Sequence, residues 1–166
     1  GVKKRSLGLE KEKTFIGHGI SYCATCDGAF FKGKEVAVIG GGNTAIMDVI
    51  YLAKFCSMVY LIHRREEFRG EASKLQEIKA LDNVKVMTPY VPVELLGEQQ
   101  LEGIILEKKD DTKARTQLMV NGIFVAVGQQ PANDIFKDLV QLDEHGYVME
   151  GEDCRTNIKG IFAAGD

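Results

Sequence analysis

Glu35-Val36-Ala37-Val38-Ile39-Gly40-Gly41-Gly42-Asn43-Thr44-Ala45 decides the fold. A β-branched run, Glu35 to Ile39, ends on glycines, and an apolar stripe at helical spacing follows at Ile46, Val49, Ile50 and Ala53. The run predicts a buried parallel strand, and the stripe a helix from Asn43 to Lys54. The residues between them fit G-x-G-x-x-A. In such a turn Gly40 permits the tight bend, Gly42 lets the backbone approach a pyrophosphate, and Ala45 lets helix and strand pack closely. The helix start, Asn43 and Thr44, offers free N–H groups and a partial positive charge to phosphates. The motif alone also suits a plain structural turn. Its place between strand and helix favours a dinucleotide site.

Outward from this turn the pattern repeats. Met58 to Ile62 predicts a second buried strand, Glu71 to Leu81 a helix with Leu75, Ile78 and Leu81 on one face, and Val84 to Met87 a third strand. Residues 35–88 therefore read βαβαβ, half of a doubly wound sheet. Val91 to Gly97, Leu101 to Lys108 and Thr116 to Val120 then predict an antiparallel meander, with the charged Glu107 to Asp111 at a solvated turn. Ile123 to Val127 returns as a buried strand closed by Gly128. The expected class is α/β, a Rossmann-like parallel sheet with helices plus a meander. Gly1 to His18 is polar and irregular and reads as a surface connection.

The length of 166 residues suits one ordinary domain, and a normal apolar and charged balance needs no staple to fold. A net charge of −3 argues against a large basic surface, so neither nucleic acid nor an anionic membrane is an expected partner. No apolar run approaches a membrane span, and no signal peptide is visible. The four cysteines, Cys23, Cys26, Cys56 and Cys154, make no disulfide scaffold and point to a reducing, cytoplasmic setting.

The end of the second strand chooses the nucleotide. An NAD site places Asp or Glu there for the ribose hydroxyls. This chain has His63-Arg64-Arg65, with Arg69 beyond. Guanidinium groups grip a 2′-phosphate with paired, charge-assisted hydrogen bonds, whereas a carboxylate repels it. The competing reading is a solvated basic turn neutralised by Glu66 and Glu67. The cluster at this position favours NADPH over NADH.

Cys23-Ala24-Thr25-Cys26 precedes Asp27-Gly28. Zinc would need two more ligands, and Cys56, Cys154, His18 and His63 show no second close pair. Inert buried cysteines would not need this spacing. A redox dithiol fits best. Asp27 is either a proton donor and acceptor or a turn cap. Cys56 reads as core filler, and Cys154 as a free thiol in a polar loop.

With these residues in hand, the sequence closely resembles the low-molecular-weight, bacterial-type thioredoxin reductases. The likeness is carried by Gly19 to Gly28 (GISYCATCDG), the GGGNTA turn, His63-Arg64-Arg65 with Phe68-Arg69, Phe124 to Gly128, and Gly160 to Asp166 (GIFAAGD). One departure is Met47-Asp48, where the family often has two acidic residues. The resemblance implies an NADPH domain inserted by two crossing strands into an FAD domain. Residues 1–18 are then the connection from the FAD domain, 19–158 the NADPH domain and 159–166 the return. Gly1 resembles the end of the family's ATG segment, and no FAD glycine fingerprint precedes it. An excised domain, inactive alone, is therefore expected. The implied cofactors are NADPH and FAD. The implied contacts are Gly40, Gly42, Asn43, Thr44, Ala45, His63, Arg64, Arg65, Arg69 and Gly128, with Asp166 on the flavin. The implied catalytic residues are Cys23, Cys26 and Asp27, and electrons pass from NADPH through FAD and the cysteines to thioredoxin. The full enzyme is expected to be a homodimer that alternates between two domain orientations. A related flavoprotein serving a peroxiredoxin shares these motifs and is the alternative.

Overall fold

The computed structural model describes residues 1–165, with all side chains among them except those of residues 112 and 113. Along the chain come β1 (Val2–Lys4), a one-turn helix α1 (Glu12–Phe15), β2 (Ile20–Ser21), a second one-turn helix α2 (Ala24–Asp27), β3 (Glu35–Ile39), α3 (Asn43–Leu52), β4 (Met58–Ile62), α4 (Ala72–Lys79), β5 (Val84–Met87), β6 (Tyr90–Leu96), β7 (Gly103–Lys108), β8 (Asp111–Met119), β9 (Gly122–Val125) and β10 (Gln129–Pro131). They form two compact units. One is Ser6–Gly128, and the other joins Gly1–Arg5 to the residues from Gln129 onward.

In the larger unit, side chains alternate across a five-stranded sheet of order β2-β9-β3-β4-β5 whose pairings are all parallel. Val36 and Val38 of β3 point to a helical layer with Ala45, Ile46, Val49 and Leu52 of α3 and Ile78 of α4. Ala37 and Ile39 point the other way, to Leu95, Ile104 and Leu106 of the meander. This period of two is why β3 is apolar throughout: both faces are covered. Each fully buried aliphatic side chain stabilises by roughly 1.5–3 kcal/mol relative to exposure. β6, β7 and β8 pair antiparallel, and Lys108 lies opposite Asp111 at the charged hairpin tip. From β3 the chain steps outward to β4 and β5, while β9 and β2 lie on the other side. The direction of winding thus reverses beside β3, the place where open α/β sheets hold ligands at their strand carboxyl ends.

Two expectations need correction. Residues 1–18 are more than a surface connection. They include β1 and α1, and Phe15 is fully buried with Leu7 and Leu9 packed against the same core. Glu12 is buried too, its carboxylate accepting from Leu7 N–H and Gly8 N–H at 2.8 Å each and from the Tyr22 hydroxyl at 2.6 Å. Accordingly the compact unit starts at Ser6, not at residue 19. It ends at Gly128, not at 158, because the chain there leaves the sheet and pairs with β1.

The smaller unit is held by that antiparallel β1–β10 ribbon, with Val2 opposite Pro131 and Lys4 opposite Gln129. Short bridges, Leu142 with Val148 and Arg155 with Phe162, order the rest. Among its described residues only Val140 is a buried apolar side chain, while Ile135, Leu139, Met149 and Phe162 are exposed.

Candidate active site

Neighbouring parallel strands deliver the chemistry at their carboxyl ends. β2 leads to Cys23, β3 to Gly40, β4 to His63, and β9 to Ala126 and Gly128. In the sheet order β2-β9-β3-β4 neighbouring strands stand roughly 5 Å apart, so the cysteine pair, two strands away, and the arginine segment, one strand away, flank the glycine turn on opposite sides of one edge.

The glycines of the turn differ in what they require. A Cβ on Gly40 would strike the Ala126 carbonyl oxygen and come within 2.9 Å of the Ala45 Cβ, while Ala45 is itself fully buried. Gly40 and Ala45 thus bring helix and strand together. A Cβ on Gly41 would strike the His63 imidazole, whereas one on Gly42 would meet only open space. Gly42 is the N-cap of α3, which has no side-chain cap. The first helical bond runs from Ile46 N–H to the Gly42 carbonyl at 3.2 Å, so Asn43, Thr44 and Ala45 N–H have no partner within the helix. A bare backbone facing open space, backed by free donors, fits a pyrophosphate. Gly128, at φ 100°, also has open space around it.

The segment after β4 folds back onto this turn. Arg69 N–H donates to the Gly41 carbonyl at 2.8 Å, and Glu71 N–H donates to Asn43 Oδ1 at 2.8 Å. Asn43 therefore serves the architecture of the site. The His63 ring lies beneath Gly41 and stacks at a tilt on Phe68, with centroids 4.9 Å apart. Its Nε2 is 3.2 Å from the Glu67 carbonyl, which calls for a proton on that nitrogen. Burial lowers the His63 pKa, the Glu67 carbonyl opposes this, and the charges of Arg64, Arg65 and Arg69 lower it further. The three guanidinium groups thus bear on one imidazole. All three arginines are exposed, and among the described residues none forms an ion pair. Glu66 instead accepts from the Thr88 hydroxyl at 2.8 Å. The cluster is therefore not neutralised by its neighbours.

Cys23 and Cys26 form a disulfide, with Cα atoms 5.3 Å apart. Cys23 is half-buried and Cys26 exposed. Cys23 caps α2, and its Sγ accepts from Cys26 N–H at 3.2 Å. Ala24 is buried in the helical layer, and Gly28 lies against Leu52 and Phe55, which anchors the pair to the far end of α3. The Asp27 carboxylate accepts from the Ser21 hydroxyl at 2.6 Å. Sequence reasoning passed over Ser21; its one signal is a hydroxyl two residues before a helix-capping cysteine. Cys56 is buried away from this pair, donates to the Phe31 carbonyl at 3.4 Å, and has its thiol pushed up to about 11 by burial. Cys154 lies in the smaller unit, half-buried and free. Asp166 lies outside the described residues.

A doubly wound nucleotide sheet with a disulfide along its ligand edge defines a class of protein, the pyridine nucleotide-disulphide oxidoreductases. The family model of that description matches residues 1–166, and the chain belongs to this family. Within it, the chain is similar to thioredoxin reductases along its whole length. It is 41% identical over 167 residues to that of Mycoplasma genitalium, covering 100% of this chain and 53% of the relative. It is 43% identical over 175 residues to that of Coxiella burnetii, covering 100% and 54%. The crystal structure of Lactococcus lactis thioredoxin reductase in its FR conformation superposes with a TM-score of 0.91 at 34% identity, covering 100% of this chain and 55% of that one. The chain thus spans about half the length of the curated relatives it matches.

Proposed function

We propose that the chain is the NADPH-binding and redox-disulfide part of a thioredoxin-disulfide reductase that works with FAD in the cytoplasm. The observation that carries this reading is the shared edge: an unneutralised arginine cluster after β4, a bare glycine turn after β3 and a disulfide after β2, at the carboxyl ends of one parallel sheet in which β9 separates β2 from β3. Arg64, Arg65 and Arg69 take the 2′-phosphate, with His63 packed under Gly41. Gly42 and the first N–H groups of α3, at Asn43, Thr44 and Ala45, take the pyrophosphate. Gly40 sets the turn, and Gly128 leaves room at the nicotinamide end. When bound, NADPH would supply a hydride, and FAD on a companion domain would supply the two-electron relay to the Cys23–Cys26 pair.

Cys26, the more exposed residue of the pair, would be the one that receives electrons from FAD. Once the pair is reduced, the Cys23 thiolate attacks the thioredoxin disulfide and forms a mixed disulfide. Cys26 then displaces the reduced thioredoxin and restores the Cys23–Cys26 bond. Asp27 holds and returns the proton. Ser6–Gly128 is the nucleotide domain. The smaller unit belongs to the FAD domain, a reading supported by its exposed Ile135, Leu139, Met149 and Phe162. Rotation about the connecting strands lets one cysteine pair meet flavin and thioredoxin in turn. The whole enzyme is a homodimer.

Nucleotide titration of the Arg64→Ala/Arg65→Ala variant tests the cofactor assignment. Losing two charge-assisted contacts costs about 3 kcal/mol, so NADPH binding is expected to weaken roughly 100-fold. NADH binding is expected to change less than about twofold. Equal losses for both would overturn the 2′-phosphate assignment.

A further inference from the structure

Ser21 ends β2, where it pairs with Phe124 of β9, and its side chain is 5% exposed. Its hydroxyl touches both partners of the redox chemistry. Oγ donates to Asp27 Oδ2 at 2.6 Å, accepts Cys23 N–H at 3.0 Å, and lies 3.3 Å from the Cys23 carbonyl oxygen. Asp27 N–H in turn donates to that same carbonyl at 3.1 Å. Residue 21 therefore closes a small ring of hydrogen bonds around the segment that carries Cys23, Cys26 and Asp27.

A hydroxyl has one proton to give and two lone pairs to accept with. With Asp27 ionised, the proton goes to the carboxylate, the stronger acceptor, which matches the short contact. With Asp27 protonated, the acid donates to Ser21 Oγ, and the hydroxyl turns to the Cys23 carbonyl. Each group keeps a partner in both states, so Asp27 changes protonation without a side-chain rearrangement. Without the hydroxyl this half-buried carboxyl would depend on solvent for that partner in both states.

We propose that Ser21 is the positioning residue that holds the Asp27 carboxyl ready for proton transfer at the Cys23–Cys26 disulfide. This rests on the reading of Asp27 as the proton carrier given above. The chemistry that exposes it needs no nucleotide or flavin. A dithiothreitol thiolate attacks one protein sulfur, the S–S bond breaks, and its electron pair leaves on the other sulfur, which takes a proton from Asp27. The second dithiothreitol thiol then displaces the first sulfur and closes the oxidised ring, with solvent exchanging the remaining protons.

The test is a double-mutant cycle on the full-length protein, following the rate of disulfide reduction by dithiothreitol between pH 5.5 and 8. Asp27→Asn is expected to slow reduction at least tenfold, within the range of general acid catalysis. Ser21→Ala is expected to slow it about threefold to tenfold, and to add nothing in the Asp27→Asn background. Its pH profile is expected to flatten towards that of Asp27→Asn. If Ser21→Ala slows both backgrounds by the same factor, the hydroxyl acts only through Cys23 N–H; the proposal is then overturned while the Asp27 reading stands. If Asp27→Asn has no effect, the Asp27 reading fails and takes the proposal with it. Ser21→Thr and Ser21→Val, alike in shape and differing in the hydroxyl, make the same comparison if the alanine variant does not fold. The NADPH titration is independent of every arm.

Discussion

Cys56 and Cys23 are the same residue type in opposite surroundings, and the difference is measurable. Cys56 is buried, and its thiol rises from an ordinary value near 9 to about 11 because burial penalises the thiolate. In this window the unfolded chain loses the thiol proton while the folded chain keeps it. Stability is therefore fully present below about pH 9 and is lost as pH rises towards 11, by up to about 2–3 kcal/mol. Denaturant melts across that range are expected to show the slope in the native protein and a shallower one in Cys56→Ala. The same burial predicts that Cys154 reacts first with an alkylating reagent at pH 8, with Cys56 labelled only on unfolding. At this scale the sequence showed residue types but not their partners. The arginine cluster was legible because it replaces a carboxylate at a defined strand end. Glu12 and Ser21 were not, because three donors around one carboxylate, or a hydroxyl shared by Asp27 and Cys23, arise only when separated segments meet.

Elements with a clear period were read nearly to the residue. β3, β4 and β5 lie where the β-branched runs placed them, and α3 stops at Leu52, two residues short of the expected Lys54. The helix closes there in a hydrogen-bonded turn, with Lys54 N–H donating to the Tyr51 carbonyl at 3.3 Å and Phe55 and Cys56 N–H to that of Leu52 at 3.1 and 2.9 Å. α4 is likewise trimmed to Ala72–Lys79. β2 and α2 were missed as elements because two and four residues cannot display a period. The β3–α3 junction separates folding from binding. Gly40→Ala would press a methyl group onto the Ala126 carbonyl and is expected to destabilise by roughly 2–3 kcal/mol in denaturant melts. Gly42 has φ −99° and open space where a Cβ would go, so Gly42→Ala is expected to change stability by less than about 0.5 kcal/mol. Its NADPH affinity is expected to fall at least tenfold, since the methyl would occupy the pyrophosphate's path. Unchanged affinity in that variant would remove Gly42 from the site.

At the scale of the whole molecule, burial is uneven. Apart from Val140, every buried apolar side chain among the described residues belongs to Ser6–Gly128. Local stability follows apolar burial, so hydrogen exchange is expected to be slowest in β3, β4 and β9 and faster throughout residues 132–165. Comparable protection in both units would contradict the division. The boundary itself was not legible in the sequence. The polar texture of residues 6–18 hides Phe15, and Gln129 to Pro131 carries no apolar run to mark a strand. The two units are joined covalently at Arg5–Ser6 and Gly128–Gln129, directly beside the β1–β10 ribbon of the smaller unit, in which Lys4 faces Gln129. The long stretch between those two positions therefore leaves and re-enters the ribbon at a single rung of its ladder. A tight two-residue hairpin in its place would close the same pair of strands. In genetic terms the larger unit is a cassette: replacing it with another segment whose ends meet is expected to leave the host strands in register.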